Sequence, residues 1–175
     1  MRTIIVEPYN SKWSIEFEMI KSELLPTIGN DIVSIEHVGS TAVPGLWAKP
    51  IIDLNIVVER ENISVIIKKL STIEYIHEGD LGIKDREAFR YCDKQHLMQH
   101  YLYVCPADSA ELERHIKFRD YLRQNPADCE KYSNIKIEMA KKYPHDIDSY
   151  IKGKEPVVMD IYNKCGIKPW KEETK

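Results

Sequence analysis

Residues 37–58 read His-Val-Gly-Ser-Thr-Ala-Val-Pro-Gly-Leu-Trp-Ala-Lys-Pro-Ile-Ile-Asp-Leu-Asn-Ile-Val-Val, and these residue types can build a phosphate site with a metal ion. Gly39, Ser40 and Thr41 form a tight polar turn, whose backbone N–H groups and hydroxyls suit an oxyanion. Asp53 lies further on, in an apolar strand, where a lone carboxylate suits a hard cation. Lys49 stands just before that strand and can contact phosphate. Each feature also has a plainer use. A Ser-Thr hydroxyl caps a helix start, an acid in an apolar strand pairs with an arginine or with backbone donors, and a lysine is a solvated surface residue.

Other groups could join the same cleft. His37 precedes the turn and His100 opens a later strand; each either ligates metal or binds phosphate as imidazolium, or is a hydrogen-bonded structural histidine. Arg86 and Arg90 straddle Phe89, and strand alternation puts them on one face, as a bidentate phosphate or carboxylate clamp or as an exposed charged face. Arg119 and Arg123 share a helix face, with Lys136 on the next helix near enough to approach them. His96 and His100 have the spacing of helical zinc ligands, but Tyr101-Leu102-Tyr103-Val104 favours a strand, which breaks that geometry. Tyr121, Tyr132, Tyr143 and Tyr150 suit core or boundary packing.

The elements that must position these residues follow from periodicity. Ile15, Met19, Ile20 and Leu24 recur at helical spacing after Asn10-Ser11, predicting a helix over residues 11–25 that Pro26 and Gly29 stop. Residues 32–38 form a short β-branched strand. Residues 50–58 form a central strand, with Ile52, Leu54, Ile56 and Val58 on one face and Asp53 and Asn55 on the other. Glu61-Asn62 opens a helix to about residue 70, with Ile63, Ile66, Ile67 and Leu70 as its apolar face. A strand near Tyr75 follows, then a loop over residues 78–85. Strands 88–93 and 98–105 form an antiparallel pair. Asp108-Ser109 caps a helix to about residue 123, Pro126 starts another to 143, and His145-Asp146 leads into a last one to about 164. Strands first and long helices last indicate an α+β fold.

Composition narrows the class. At 175 residues the chain can bury about 70% of its unfolded surface in one core. A net charge of −3 gives no global attraction for nucleic acid. Glu111, Glu113, Asp120, Asp128 and Glu130 interleave with the basic residues, against a nucleic-acid stripe. Cys92, Cys105, Cys129 and Cys165 lie too far apart for a paired zinc motif and read as reduced thiols. No apolar run is long enough to span a membrane, and nothing at the start resembles a signal peptide, so a cytoplasmic location is expected. Residues 171–175 read as a frayed tail. No feature identifies a protein partner.

Residues 37–53, Arg86-Glu87-Ala88-Phe89-Arg90, His100-Tyr101-Leu102-Tyr103-Val104-Cys105-Pro106, and Phe118-Arg119-Asp120-Tyr121-Leu122-Arg123 with Asn125-Pro126 together resemble the GrpB family, an uncharacterised protein family of the nucleotidyltransferase superfamily. The resemblance implies a nucleotidyltransferase-like mixed sheet flanked by helices. It also implies one GrpB-like domain over residues 1–175, with a sheet part to about 106 and a helical part over about 107–166. Carried onto matching positions, it makes Gly39 and Ser40 the holders of a nucleotide's terminal phosphates and Asp53 the first Mg²⁺-binding, catalytic acid. Asn55 stands at the second metal position, where the superfamily pattern has an acid. An amide oxygen ligates a hard cation but brings no charge, which weakens two-metal chemistry. The third acid has no clear match among Glu36, Asp80, Asp85 and Glu87. The expected function is Mg²⁺-dependent binding of a nucleotide or other phosphorylated small molecule, with in-line nucleotidyl transfer if active. The alternative is a non-catalytic phosphometabolite-binding module, linked to coenzyme A metabolism because GrpB-like domains occur fused to dephospho-CoA kinase. A scaffold built from the three terminal helices is a third reading.

Overall fold

The computed structural model describes residues 3–168, so the expected tail at 171–175 lies outside the described residues. Helix α1 (Lys12–Ile28) leads into strand β1 (Ser34–Val38), a 3₁₀ turn (Ser40–Ala42) and strand β2 (Ile52–Val58). Helix α2 (Ile63–Ser71), strands β3 (Tyr75–Gly79), β4 (Glu87–Tyr91) and β5 (His100–Pro106), and helices α3 (Ala110–Gln124), α4 (Pro126–Lys142) and α5 (Ile147–Lys164) complete the order. The fold is α+β, as the order of strands and helices predicts. The five strands lie in the order β1-β2-β5-β4-β3, and only β2 and β5 run parallel.

Strand alternation divides the sheet into two unlike faces. On one, Ile52, Leu54, Ile56, Leu102 and Val104 are fully buried against Phe17, Ile20, Leu24 and Ile28 of α1 and Ile66 and Leu70 of α2. The other face carries Asp53, Asn55 and Val57 of β2, and Val57 packs with Cys105 and Leu112 of α3. Helices α4 and α5 bury Tyr132 and Ile161 against Val43 and Leu46, the residues that follow the 3₁₀ turn. The helical third of the chain therefore closes around the loop between β1 and β2.

Two expectations for α1 need correction. Its buried stripe is Trp13, Phe17, Ile20, Leu24 and Ile28, while Ile15 and Met19 are exposed at 60% and 45%. The two aromatic rings bring more area to the core than the aliphatic pair and fix which side faces inward. The helix also runs through Pro26 to Ile28. Burial of Leu24 and Ile28 holds the last turn together despite the missing N–H. The later caps are as expected: Ser109 accepts from Leu112 N and Asp146 from Ser149 N.

His100 does not reach the Asp53 face. It pairs with Ile52 on the core face, 3% exposed, where Nδ1–H donates to Met98 O at 2.8 Å and Nε2 accepts from the Tyr75 hydroxyl at 2.8 Å. Tyr91 stacks on its ring at 4.3 Å between centroids. Burial lowers the pKa of His100, so the ring is held neutral as a structural link and not as a phosphate-binding imidazolium. Removing the tyrosine hydroxyl strands a buried acceptor, so Tyr75→Phe is expected to cost about 1–3 kcal/mol in urea denaturation while leaving the opposite sheet face unchanged.

Candidate functional site

The antiparallel register of β1 and β2 sets Val38 opposite Asp53, so the chain leaving β1 must pass over the Asp53 side chain. Gly39 makes that passage at φ 69°, ψ −169°, a conformation essentially reserved for glycine. A Cβ at Gly39 would lie 2.2 Å from Asp53 Oδ2. Glycine is thus required twice, by its backbone angles and by the carboxylate below it.

The turn is held from both ends by α3. Arg119 donates from NH1 to His37 O at 3.0 Å and to Glu36 Oε2 at 2.9 Å, and its Nε bonds Asp120. Arg123 donates from Nε and NH2 to Ala42 O at 3.0 and 2.8 Å. These two arginines therefore position the backbone on either side of Gly39-Ser40. Thr41, 2% exposed, bonds Ile51 O, so its hydroxyl ties the turn to the start of β2.

His37 points to the core face, paired with Leu54 and stacked on Phe17 at 4.7 Å. Its Nε2 meets Thr41 Oγ1 at 3.0 Å. Burial, with Arg123 and Arg119 nearby, brings its pKa down to about 4, so it supports the turn as a neutral ring. Arg86 and Arg90 do not converge. Arg86 lies over the Tyr103 ring at 4.6 Å and 4.0 Å from Glu111, with its buried Nε unpartnered. Arg90 faces Glu78 at 3.5 Å with its side chain 58% exposed. Strand alternation does put both on the sheet face of Ala88 and Tyr103, but each has its own partner, Glu111 of α3 for Arg86 and Glu78 of β3 for Arg90.

The structure gathers a different set around Asp53. Lys136 of α4, 2% exposed, reaches Ser40 Oγ at 2.5 Å and Trp47 O at 2.8 Å, with its ammonium 4.3 Å from the Tyr132 ring centroid. Lys49 and Lys154 stand 6.0 and 4.7 Å from the Tyr150 ring centroid. Burial pushes the Asp53 carboxyl up to about 6, against the opposing pull of His115, Lys49, Lys136 and Lys154. Burial lowers Lys136 well below the usual lysine range and Lys154 to about 8, aided by the mutual repulsion of the lysines. His115 of α3 connects to the second position: its Nε2 faces Glu111 Oε1 at 3.1 Å and its Nδ1 meets Asn55 Nδ2 at 2.9 Å. Asn55, fully buried, has no partner for Oδ1.

Sequence reasoning missed His115 and Lys154 and gave Lys136 a different neighbourhood. A signal was present: Cys129, Tyr132, Ser133, Lys136 and Met139 share the buried stripe of α4, so Lys136 occupies a core position. Lys154, half-buried, follows the buried Tyr150 by one helical turn.

The donor set does not suit the Mg²⁺ that the resemblance implies. Asp53 and the neutral Asn55 Oδ1 supply oxygens, while the surroundings include Lys49, Lys136, Lys154 and His115, with Tyr103 and Tyr132 as the other titratable neighbours. Among the described residues no cluster of three or more His, Cys, Asp or Glu is placed to hold a metal ion. Magnesium favours several carboxylate, phosphate or water oxygens and is repelled by ammonium groups.

Comparison with known proteins bears on the family. The family profile described as "GrpB protein" matches residues 3–164. The chain is 32% identical over 172 residues to "UPF0157 protein YqkA" of Bacillus subtilis, covering 98% of this chain and 49% of that protein. The crystal structure of the conserved protein GrpB from Enterococcus faecalis superposes with a TM-score of 0.77 at 32% identity, covering 91% of this chain and 98% of the other. A dephospho-CoA kinase of Mycolicibacterium paratuberculosis is 26% identical over 184 residues, covering 90% of this chain and 45% of the kinase. The chain thus spans about half the length of two of these relatives.

Two outcomes follow from this geometry. Gly39→Ala and Gly45→Ala both place a side chain at positive φ, but only the first meets another atom. Gly45→Ala is expected to cost about 1–2 kcal/mol for its backbone conformation. Gly39→Ala should cost about 1–3 kcal/mol more through overpacking on Asp53, read as the difference in urea midpoints. His37, neutral when folded but free to protonate when unfolded, withdraws stability as pH falls from about 6.5 toward 4, by roughly 3 kcal/mol at most. His37→Phe keeps the ring stack and should flatten that stretch of the stability–pH curve.

Proposed function

We propose, from the premise that the chain belongs to the GrpB family, that the Gly39–Ser40 turn with Lys49, Lys136 and Lys154 binds the phosphate groups of a nucleotide or other phosphorylated small molecule. One observation carries this reading. A buried lysine, Lys136, meets the serine hydroxyl of the turn, while two further lysines and a histidine act on the same single carboxylate. Lys136 is buried against two neutral oxygens that leave its charged form without a counter-charge, and an oxyanion entering beside Ser40 would supply one. Desolvation strengthens that attraction relative to a solvent-exposed lysine patch.

Chemistry at the site depends on Asp53. Its carboxyl, with a pKa of about 6, lies near the range in which a group exchanges protons at neutral pH, which suits an acid–base role toward a ligand hydroxyl. Transfer of a nucleotidyl group is the reading the superfamily resemblance favours. The non-catalytic module is favoured by the neighbours of Asp53: the amide nitrogen of Asn55 is engaged by His115, and Tyr101 and Tyr103 occupy the β5 positions beside Asp53 and Asn55. The likeness to part of a dephospho-CoA kinase supports coenzyme A precursors among the ligands to test.

Thermal denaturation with ATP, CTP, GTP, UTP, coenzyme A, dephospho-CoA and inorganic pyrophosphate tests the reading. A ligand at a hundred times its Kd stabilises the native state by about 2.7 kcal/mol. At least one phosphorylated compound should raise the midpoint, and Ser40→Ala should reduce that rise; the same rise in the variant would remove Ser40 from the site. Asn55→Asp then separates the two readings: new nucleotide turnover indicates an enzyme short of one acid, whereas unaltered binding without turnover indicates the module.

A further inference from the structure

Among the described residues, three acids of this sheet face and of α3 are engaged by basic side chains. Glu36, beside Asn55 on the same sheet face, is held by Arg119. Glu111 is held by the Arg114 guanidinium and by His115, with Arg86 at 4.0 Å. Asp120 is shared by Arg119 and Arg123. None of these three is left to complete a carboxylate cage, and among the described residues no group of three or more His, Cys, Asp or Glu could hold a metal ion. The charged and titratable groups acting on Asp53 come from five elements: Lys49 ahead of β2, Tyr103 on β5, His115 on α3, Tyr132 and Lys136 on α4, and Lys154 on α5. Tyr132 and Tyr150 form the apolar backing against which the ammonium groups lie.

We infer that this site takes its phosphorylated ligand without a divalent cation, the ammonium groups of Lys49, Lys136 and Lys154 supplying the charge that metal ions supply in metal-dependent phosphate sites. The inference rests on the phosphate-binding reading above and narrows it to ligands carrying two or more adjacent negative charges. Two separate donor groups, Ser40 with Lys136 and Lys49 with Lys154 about the Tyr150 ring, match two anionic groups rather than one. Ligand entry favours the protonated form of Lys136 and Lys154, whose burial otherwise disfavours it, so binding takes up protons. The hydroxyl of Ser40 and the Lys136 ammonium, already in contact, present adjacent donors to one phosphate group. Lys49 and Lys154, gathered about the single Tyr150 ring, are placed to share a second group.

Isothermal titration calorimetry with inorganic pyrophosphate tests this on the full chain. Titrations are run in EDTA and in excess Mg²⁺, each in two buffers of different ionisation enthalpy. The expected result is binding in EDTA with a Kd within threefold of that in Mg²⁺, and net proton uptake at pH 8. Lys154→Met should weaken binding at least tenfold and Lys154→Arg should restore most of it, both variants keeping the wild-type melting temperature within a few degrees. Binding seen only with Mg²⁺, or equal affinity in Lys154→Met, overturns the metal-free site while leaving a phosphate site standing. No heat under either condition removes the phosphate reading itself, and this inference with it.

Discussion

The close approach of the Gly39 backbone to the Asp53 carboxylate constrains everything around it. Strand pairing sets Val38 opposite Asp53, so the residue after β1 has to cross above that side chain, and only a residue without Cβ can do so. Once the crossing is fixed, the direction of Ser40 is fixed as well. The carbonyls on either side of the turn become the points by which it can be held, and Arg119 and Arg123 hold them. Val43 and Leu46, buried among α3, α4 and α5, anchor the loop on its way back to β2. The helical third of the chain thus fixes the position of a turn formed by the first third.

Charge is distributed unevenly across that arrangement. The arginines near the site have carboxylate or carbonyl partners: Arg119 with Glu36, Arg114 with Glu111, Arg123 with Ala42 O. Lys136 instead meets a hydroxyl and a carbonyl, both neutral. A guanidinium with several satisfied donors is structural, whereas a buried lysine resting on neutral oxygens lacks the counter-charge that an incoming anion brings. The overall net charge of −3 says nothing of this local excess, because potentials inside a cleft follow nearby groups and low-dielectric walls.

Much of the architecture was legible in local patterns. Period-two alternation in β2 separates Ile52, Leu54, Ile56 and Val58 from Asp53 and Asn55, as the residues suggest. Ser109, Pro126 and Asp146 mark helix starts through capping chemistry that depends on residues a few positions away. Alternation also holds the reason His37 and His100 were misplaced. His37 pairs with Leu54 and His100 with Ile52, which sets both on the apolar face, but strand parity across different strands follows only from register.

The sequence by itself determined the α+β class, the helix boundaries of the last third, the Gly-Ser turn and the acid beyond it, because these rest on backbone periodicity and on contacts within one or two turns. Only the tertiary structure decided which side chains meet at that acid. Lys136 meets Ser40 across 96 positions of chain, and Arg123 meets Ala42 across 81. Lysine and arginine side chains are long and flexible, so their destinations are set by the partners that the packed helices bring within reach, and no local pattern encodes those partners.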